Sequence, residues 1–307
     1  MKIRAYAKIN LSLDVLGLME NGYHRLDMVM HMVDLHDVVE ILWTPGEEGG
    51  LKVHLDAGDP GLPVDEGNLA MRAVSLLRKE DGRAAAINGS LHISIEKNIP
   101  IAAGLAGGSG NGAAVLLGLN HLWQLGHSLS EMCALGSRLG ADVPFSVMGI
   151  AALNEELGFS DDPLAATCAR ATGSGTELEP LPAFRSGVVL SKPPISVSTA
   201  EAYRGVDECT ITERPDVAAQ VAAIRKKDVK QVYSNMVNVL ENYTLKRYYI
   251  VMYTKNKMRE VADSAAVLMS GSGPTVFALT DDPEEKKRIF EALKSVNKET
   301  YSTETAG

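Results

Sequence analysis

Between Pro100 and Ala114 the chain reads PIAAGLAGGSGNGAA. A loop of this composition can turn several backbone N–H groups toward one point, because glycine accepts positive φ and lets a ligand approach the backbone. Ala113, Leu116, Leu117, Asn120 and Trp123 then recur at helical spacing, so the loop opens a helix. The unpaired N–H groups of that helix and the positive end of its dipole complete an anion cradle. Phosphate is the usual occupant of such a cradle. A tight packing turn uses glycine as well, and on the loop alone that alternative stays open. No Lys-Ser or Lys-Thr pair follows the glycines and the order is not GxGxxG, so neither common nucleotide fingerprint is present.

Three further stretches carry residues able to do chemistry. Lys2–Val15, KIRAYAKINLSLDV, alternates strictly between apolar and polar residues, which makes it a half-buried strand with Lys8 and Asn10 on one face. A solvent-facing lysine is the ordinary alternative there, although the neighbouring Asn10 can fix a substrate or a catalytic group. Asp142 follows a Gly-Ala turn in GADVPF, a place from which a carboxylate can project and accept a proton. Read by itself it is a turn aspartate. Tyr23 and His24 follow the Asn21-Gly22 turn. In isolation the pair reads as loop structure.

The elements that must position these residues are mixed. Met28–Trp43 reads as strand, and Leu51, Val53 and Leu55 alternate, as do Leu91, Ile93 and Ile95. Helical spacing runs over Asn68–Arg78, Asp216–Lys226 and Pro283–Leu293. Another helix starts at Ser128, with Glu131 at capping-box spacing, and runs to near Gly140. Short strands are expected over Val188–Leu190 and on either side of SGSGP, at Ala265–Met269 and Thr275–Leu279. The alternation has no steady βαβ rhythm, so an α+β architecture is expected rather than a doubly wound sheet.

Composition narrows the function. The 307 residues carry a net charge of -9, with 45% hydrophobic and 22% charged residues, a soluble globular balance. No clustered basic footprint offers itself to nucleic acid. Arg225-Lys226-Lys227 is followed at once by Asp228 and reads as a solvated helix face. Cys133, Cys168 and Cys209 are widely spaced and form no CxxC or Cys/His cluster, so no metal ligand set is expected and reduced thiols fit a cytoplasmic protein. Lys2, Arg4 and Lys8 interrupt the first apolar residues, so no signal-peptide core is expected. The longest uncharged run, Asn98–Ser130, is broken by Pro100 and glycines and makes a poor membrane span.

Taken together, the loop resembles the ATP-phosphate loop of the GHMP kinases, the superfamily of galactokinase, homoserine kinase and mevalonate kinase. AKIN at Ala7–Asn10 resembles that superfamily's N-terminal motif, and SGSGPTVF at Ser270–Phe277 its C-terminal glycine motif. Within it, NGYHRLDMVMHMVDLHD (Asn21–Asp37), EGNLAMRAVSLL (Glu66–Leu77), GADVPFSV (Gly140–Val147) and MSGSGPTVF resemble the 4-diphosphocytidyl-2-C-methyl-D-erythritol kinases of the non-mevalonate isoprenoid pathway. The resemblance implies the two-domain GHMP kinase fold. A ribosomal protein S5 domain 2-like, ATP-binding domain would span residues 1–155, and a ferredoxin-like domain residues 156–307. It also implies ATP-dependent phosphorylation of the substrate's 2-hydroxyl, with Mg²⁺ accompanying the nucleotide. Asp142 matches the catalytic base and Lys8 its paired lysine. Pro100, Ala103, Gly104, Leu105, Ala106, Gly107, Gly108, Ser109 and Gly110 match the ATP loop, with Asn68 and Lys97 near the adenine pocket. Asn10, Tyr23, His24, Thr199 and Tyr203 match the substrate site. The implied partners are CDP-methylerythritol and ATP, with no nucleic acid or membrane, in a monomer or homodimer.

Another small-molecule GHMP kinase, acting on homoserine, mevalonate or a sugar, is the nearest alternative. A weakly catalytic nucleotide-binding relative is the next. The chain departs from the family pattern in two places. The family loop reads GLGGGSS, whereas here Ala106 and Gly112 exchange glycine and alanine and Gly110 replaces a serine. If position 106 needs φ > 0, alanine costs about 1 kcal/mol there. Residues 149–175 are longer than the family's short strand and turn, and read as an insertion.

Overall fold

A computed structural model describes every residue except Glu48. The chain divides into two compact units that are not contiguous in sequence.

The first unit comprises Met1–Ala7, Leu35–Ile99 and Ala106–Ala166. It takes the start of β1 (Lys2–Leu18) and the end of β2 (His24–Pro45). β3 (Leu51–Asp56), α1 (Leu69–Glu80), α2 (Gly82–Ala85) and β4 (Gly89–Glu96) follow. β4 runs antiparallel to β2, with Val38 opposite Glu96, and parallel to β3, with Leu51 opposite Gly89. A parallel pair needs a crossover, which α1 and α2 supply. Leu91, Ile93 and Ile95 turn into the core, as their alternation predicts. α3 (Gly107–Leu122) is buried all the way from Gly110 to Asn120, so it is the central helix of this unit. α4 (Leu129–Ser137) starts with a complete Ser128–Glu131 capping box. It stops three residues before the expected end near Gly140, where the Arg138 and Leu139 N–H groups bond only three residues back, to Leu135 and Gly136 C=O, and tighten the last turn. α5 (Val143–Leu153) carries no amphipathic signal, since it is buried from Val143 to Ala151 on every face.

The segment 149–175 resolves into the end of α5, one 3₁₀ turn at Glu155–Leu157 and β5 (Cys168–Gly173). Asn154 joins the first of these pieces to β1. Its Oδ1 accepts from Arg4 N–H at 2.9 Å, and its Nδ2 donates to Arg4 C=O at 3.2 Å.

The second unit comprises Lys8–Asp34, Pro100–Leu105 and Thr167–Gly307. The first half of β2 pairs antiparallel with β5, which pairs with β6 (Glu177–Leu181). After these come β7 (Gly187–Lys192), α6 (Thr199–Asp207), α7 (Val217–Lys226), α8 (Val229–Ser234), α9 (Glu241–Arg247) and α10 (Tyr249–Val261). The chain finishes with β8 (Ala266–Met269), β9 (Val276–Thr280), α11 (Pro283–Lys294) and β10 (Glu299–Glu304). The sheet order is β10-β7-β9-β8, antiparallel throughout. Helices lie between β7 and β8 and between β9 and β10, so this is the expected ferredoxin-like βαββαβ layout. No helix among the described residues is long and apolar enough to cross a membrane.

Candidate active site

In the first unit the site is built at the start of α3. Ala106 precedes the helix at φ 59°, ψ 26°, in the left-handed region. The turn therefore takes the strained conformation that an alanine tolerates poorly. Gly110 N–H bonds back to Ala106 C=O at 2.9 Å. The N–H groups of Gly107, Gly108 and Ser109 thus lie ahead of the first helical bond, where an anion can meet them. A Cβ on Gly107 would stand 3.0 Å from Ile99 Cγ2 and 3.3 Å from Lys97 Nζ, so this glycine lets the loop lie close to Lys97. Gly112 has a packing reason. A Cβ there would be 3.2 Å from both Leu69 Cβ and Leu69 O, where α3 crosses the start of α1. At Gly110 a Cβ would make only ordinary contacts, and nothing in the structure explains the missing serine.

Beneath the loop lies a carboxylate that sequence reasoning did not single out. Asp37 is fully buried on β2. Its Oδ1 accepts from Asn98 N–H at 2.7 Å and Ile99 N–H at 2.8 Å. Its Oδ2 accepts from Asn111 Nδ2 at 2.9 Å and pairs with Lys97 Nζ. Lys97 also reaches Asn111 Oδ1 at 3.3 Å. One carboxylate thus ties the chain entering the loop to the first turns of α3. Asn68 caps α1: its Oδ1 accepts from Ala70 N–H and its Nδ2 donates to Pro63 C=O. Asp142 stands at the N-cap of α5 and is partly exposed. Its carboxylate makes no capping bond to its own helix, while its carbonyl takes the Ser146 N–H and hydroxyl.

In the second unit Lys8 is 4% exposed, and its Nζ donates to Asn10 Oδ1 at 2.7 Å. The strand alternation puts them on one face, as expected, and that face is buried rather than solvated. Lys8 N–H also donates to Leu105 C=O at 3.1 Å. The loop segment Ala103–Leu105 is pinned on its other side by SGSGP. Ser270 Oγ donates to Gly104 C=O at 3.0 Å, and Thr275 N–H to Ala103 C=O at 3.3 Å. Gly104 has φ 75°, and a Cβ there would stand 2.6 Å from Ser270 O and 2.8 Å from Gly273 O. Only glycine fits. Gly271 faces Asn10 and Lys8, with its Cβ position 3.5 Å from Asn10 Oδ1 and 3.6 Å from Lys8 Nζ.

The SGSGP turn has its own support, also missed in the sequence. Asn238 is buried, and its Nδ2 donates to Met269 C=O and Gly271 C=O, both at 2.8 Å. On either side of it, Leu13 N–H donates to Val237 C=O and Val239 N–H to Leu13 C=O, tying the turn to β1. Glu241 accepts from Met269 N–H at 2.9 Å and from the buried Lys255 at 2.5 Å. Burial pulls the Lys255 ammonium down from its usual pKa, with Glu241 opposing. No local pattern marks these residues, because their partners lie far along the chain.

Of the expected substrate residues, the structure brings His24 and Tyr203 together as stacked rings, centroids 5.1 Å apart. Thr199 Oγ1 lies 3.2 Å from Ser272 Oγ. Tyr23 is 63% exposed. Asp207 was not anticipated: both its oxygens reach His24 Nε2, at 3.0 and 2.9 Å. Thiol chemistry has no support here. Burial pushes Cys133 up to about 12 and Cys168 further still, which keeps both as inert thiols.

The family model for the GHMP kinases N terminal domain matches residues 68–150, and that for the GHMP kinases C terminal matches residues 220–299. The chain is 41% identical to the 4-diphosphocytidyl-2-C-methyl-D-erythritol kinase of Geobacillus kaustophilus (strain HTA426), covering 100% of this chain and 97% of that one. It is 38% identical to the same-named enzyme of Alkaliphilus metalliredigens (strain QYMF), covering 98% and 95%. Among solved structures it resembles a 4-(cytidine 5'-diphospho)-2C-methyl-D-erythritol kinase with a TM-score of 0.75 and 30% identity, each chain covered in full.

Proposed function

The chain belongs to the GHMP kinases, in their 4-diphosphocytidyl-2-C-methyl-D-erythritol kinase family, and on that premise we propose that it transfers the γ-phosphoryl group of ATP to the 2-hydroxyl of CDP-methylerythritol. One observation carries the reading. The 41% identity is over a match that covers the whole chain, the phosphate loop and the Tyr23-His24 stretch lying within it.

Phosphoryl transfer asks a protein mainly to position groups and stabilise charge. The N–H groups of Gly107, Gly108 and Ser109 suit the nucleotide's phosphates, while glycine at 104 and 107 lets the loop pack against the SGSGP turn and beside Lys97. Mg²⁺ belongs to the same proposal: it would neutralise phosphate charge and would need few protein ligands. The Ser109 hydroxyl is the loop's side-chain candidate for it. Asp142 is assigned as the base that takes the hydroxyl proton. It stands at the N-cap of α5, directly after the Gly-Ala turn, and is partly exposed. Lys8 is assigned to the developing negative charge, oriented by Asn10. The pyrimidine is assigned to Tyr23, His24 and Tyr203, and Thr199 to a substrate contact. A domain boundary at 155/156 would separate the two matched family models, whereas the first compact unit runs on to Ala166. The three widely spaced cysteines fit a cytoplasmic setting.

The test is ATP turnover with CDP-methylerythritol beside homoserine and mevalonate. CDP-methylerythritol is expected to be the substrate, and Lys8→Ala and Asp142→Ala each to cut kcat by orders of magnitude with the fold retained. Near-normal turnover in both variants, or preference for a simple alcohol, overturns the assignment.

A further inference from the structure

We propose that Asp207 sets the proton position on His24 and so makes the site read cytosine rather than uracil. This rests on the cytidine substrate argued above. The two Asp207 oxygens lie 3.0 and 2.9 Å from His24 Nε2, and a carboxylate only accepts hydrogen bonds. Nε2 therefore carries the proton, and in the neutral ring Nδ1 keeps a bare lone pair. Tyr203 holds the same ring by its face, with the planes 30° apart. Both grips come from α6, where Tyr203 and Asp207 stand one turn apart on one face. From the other direction, His24 opens β2 directly after the turn in which Asn21 Oδ1 accepts from Tyr23 N–H at 3.0 Å. With its side chain 11% exposed, the imidazole is held in plane and in tautomer.

A bare Nδ1 is an acceptor. The 4-amino group of cytosine donates to it, whereas the 4-oxygen of uracil sets one lone pair against another. Without Asp207 the proton is shared between the ring nitrogens, and an Nδ1–H can then donate to uracil. Asp207 is thus a positioning residue that acts through His24.

The test uses the full chain and the variants Asp207→Ala and Asp207→Asn. The asparagine carbonyl can still accept from Nε2–H, so Asp207→Asn is the conservative rescue. Imidazole ¹⁵N spectra report the tautomer, and calorimetric binding of CMP and UMP reports discrimination without any turnover. The wild type and Asp207→Asn are expected to show Nε2–H and to bind CMP at least about tenfold tighter than UMP. Asp207→Ala is expected to show mixed tautomers and a CMP/UMP ratio near one. A proton on Nδ1 in the wild type overturns the proposal, as does Asp207→Ala with an unchanged tautomer and ratio, or Asp207→Asn behaving like Asp207→Ala. If CMP still binds in any of these cases, the cytidine reading survives. A wild type with Nε2–H that binds neither nucleotide overturns the proposal and the cytidine reading together.

Discussion

Asp37 is the sharpest place to test how the phosphate loop is held. Its Oδ1 serves two backbone N–H groups, and its Oδ2 serves Asn111 and Lys97. Asp37→Ala strips all four donors of their acceptor. Asn98 is exposed and can turn to water, but Ile99 is buried, and its unpaired N–H costs about 1–3 kcal/mol. Lys97, with a side chain 10% exposed, loses its counter-charge, a loss worth about 3–5 kcal/mol for a fully buried pair and less where the chain can reach solvent. The sum is about 4 kcal/mol. That is a large part of the roughly 5–15 kcal/mol that holds a domain folded, and it shifts the midpoint by about 2–4 °C for each kcal/mol. Asp37→Asn separates the two halves. Its Oδ1 keeps both backbone bonds, while an amide NH₂ now faces Lys97 and Asn111, so it loses only the second contribution. Urea unfolding of Asp37→Asn, Lys97→Met and the double variant forms a cycle. A coupling of about 2 kcal/mol or more is expected, together with a raised KM for ATP in Asp37→Asn as α3 loses its tether. Additive effects, or an Asp37→Ala protein within about 0.5 kcal/mol of the wild type, would refute the reasoning.

Three other outcomes follow from particular residues. Ala106→Gly relieves a left-handed alanine at φ 59° and is expected to stabilise the protein by about 0.5–1 kcal/mol in urea unfolding. Gly104→Ala places a Cβ 2.6 Å from Ser270 O, so the loop or the SGSGP turn must move. At least a tenfold rise in the KM for ATP is expected (about 1.4 kcal/mol), and an unchanged KM would show that the two segments are not locked together. His31 is buried, with Nδ1–H donating to Met32 C=O at 2.7 Å and Nε2 accepting from Phe184 N–H. Burial lowers its pKa to about 4, against the pull of the Met32 bond. The folded pKa is depressed, so the unfolded chain binds the extra proton. The stability is fully present above about pH 6.5 and is lost as pH falls toward 4. Between those values the slope of unfolding free energy against pH is expected to flatten in His31→Gln, and two parallel curves would contradict this.

Much of the site was legible in the chain because its signals are local. The alternation of Lys2–Val15 put Lys8 beside Asn10, where they are bonded. Asn68 and Ser128 announced two helix starts, and both cap them. The glycines around Ala106 pointed to a left-handed turn, and the turn is there. α5 escaped detection because periodicity reports a boundary between core and solvent, and a helix buried on all faces has none.

By itself, then, the sequence determined where the backbone turns, which strand faces carry lysine and asparagine, and which motifs recur from Ala7 to Phe277. The tertiary structure alone decided what holds those motifs in place. Asp37 reaches residues 97–111, Asn238 reaches Met269 and Gly271, and Asp207 reaches back to His24. The separations run from 31 to 183 residues, far beyond any period of helix or strand. For Asp37 and Asn238 the reason is burial: a buried carboxylate or amide must find partners wherever the fold brings donors and acceptors together.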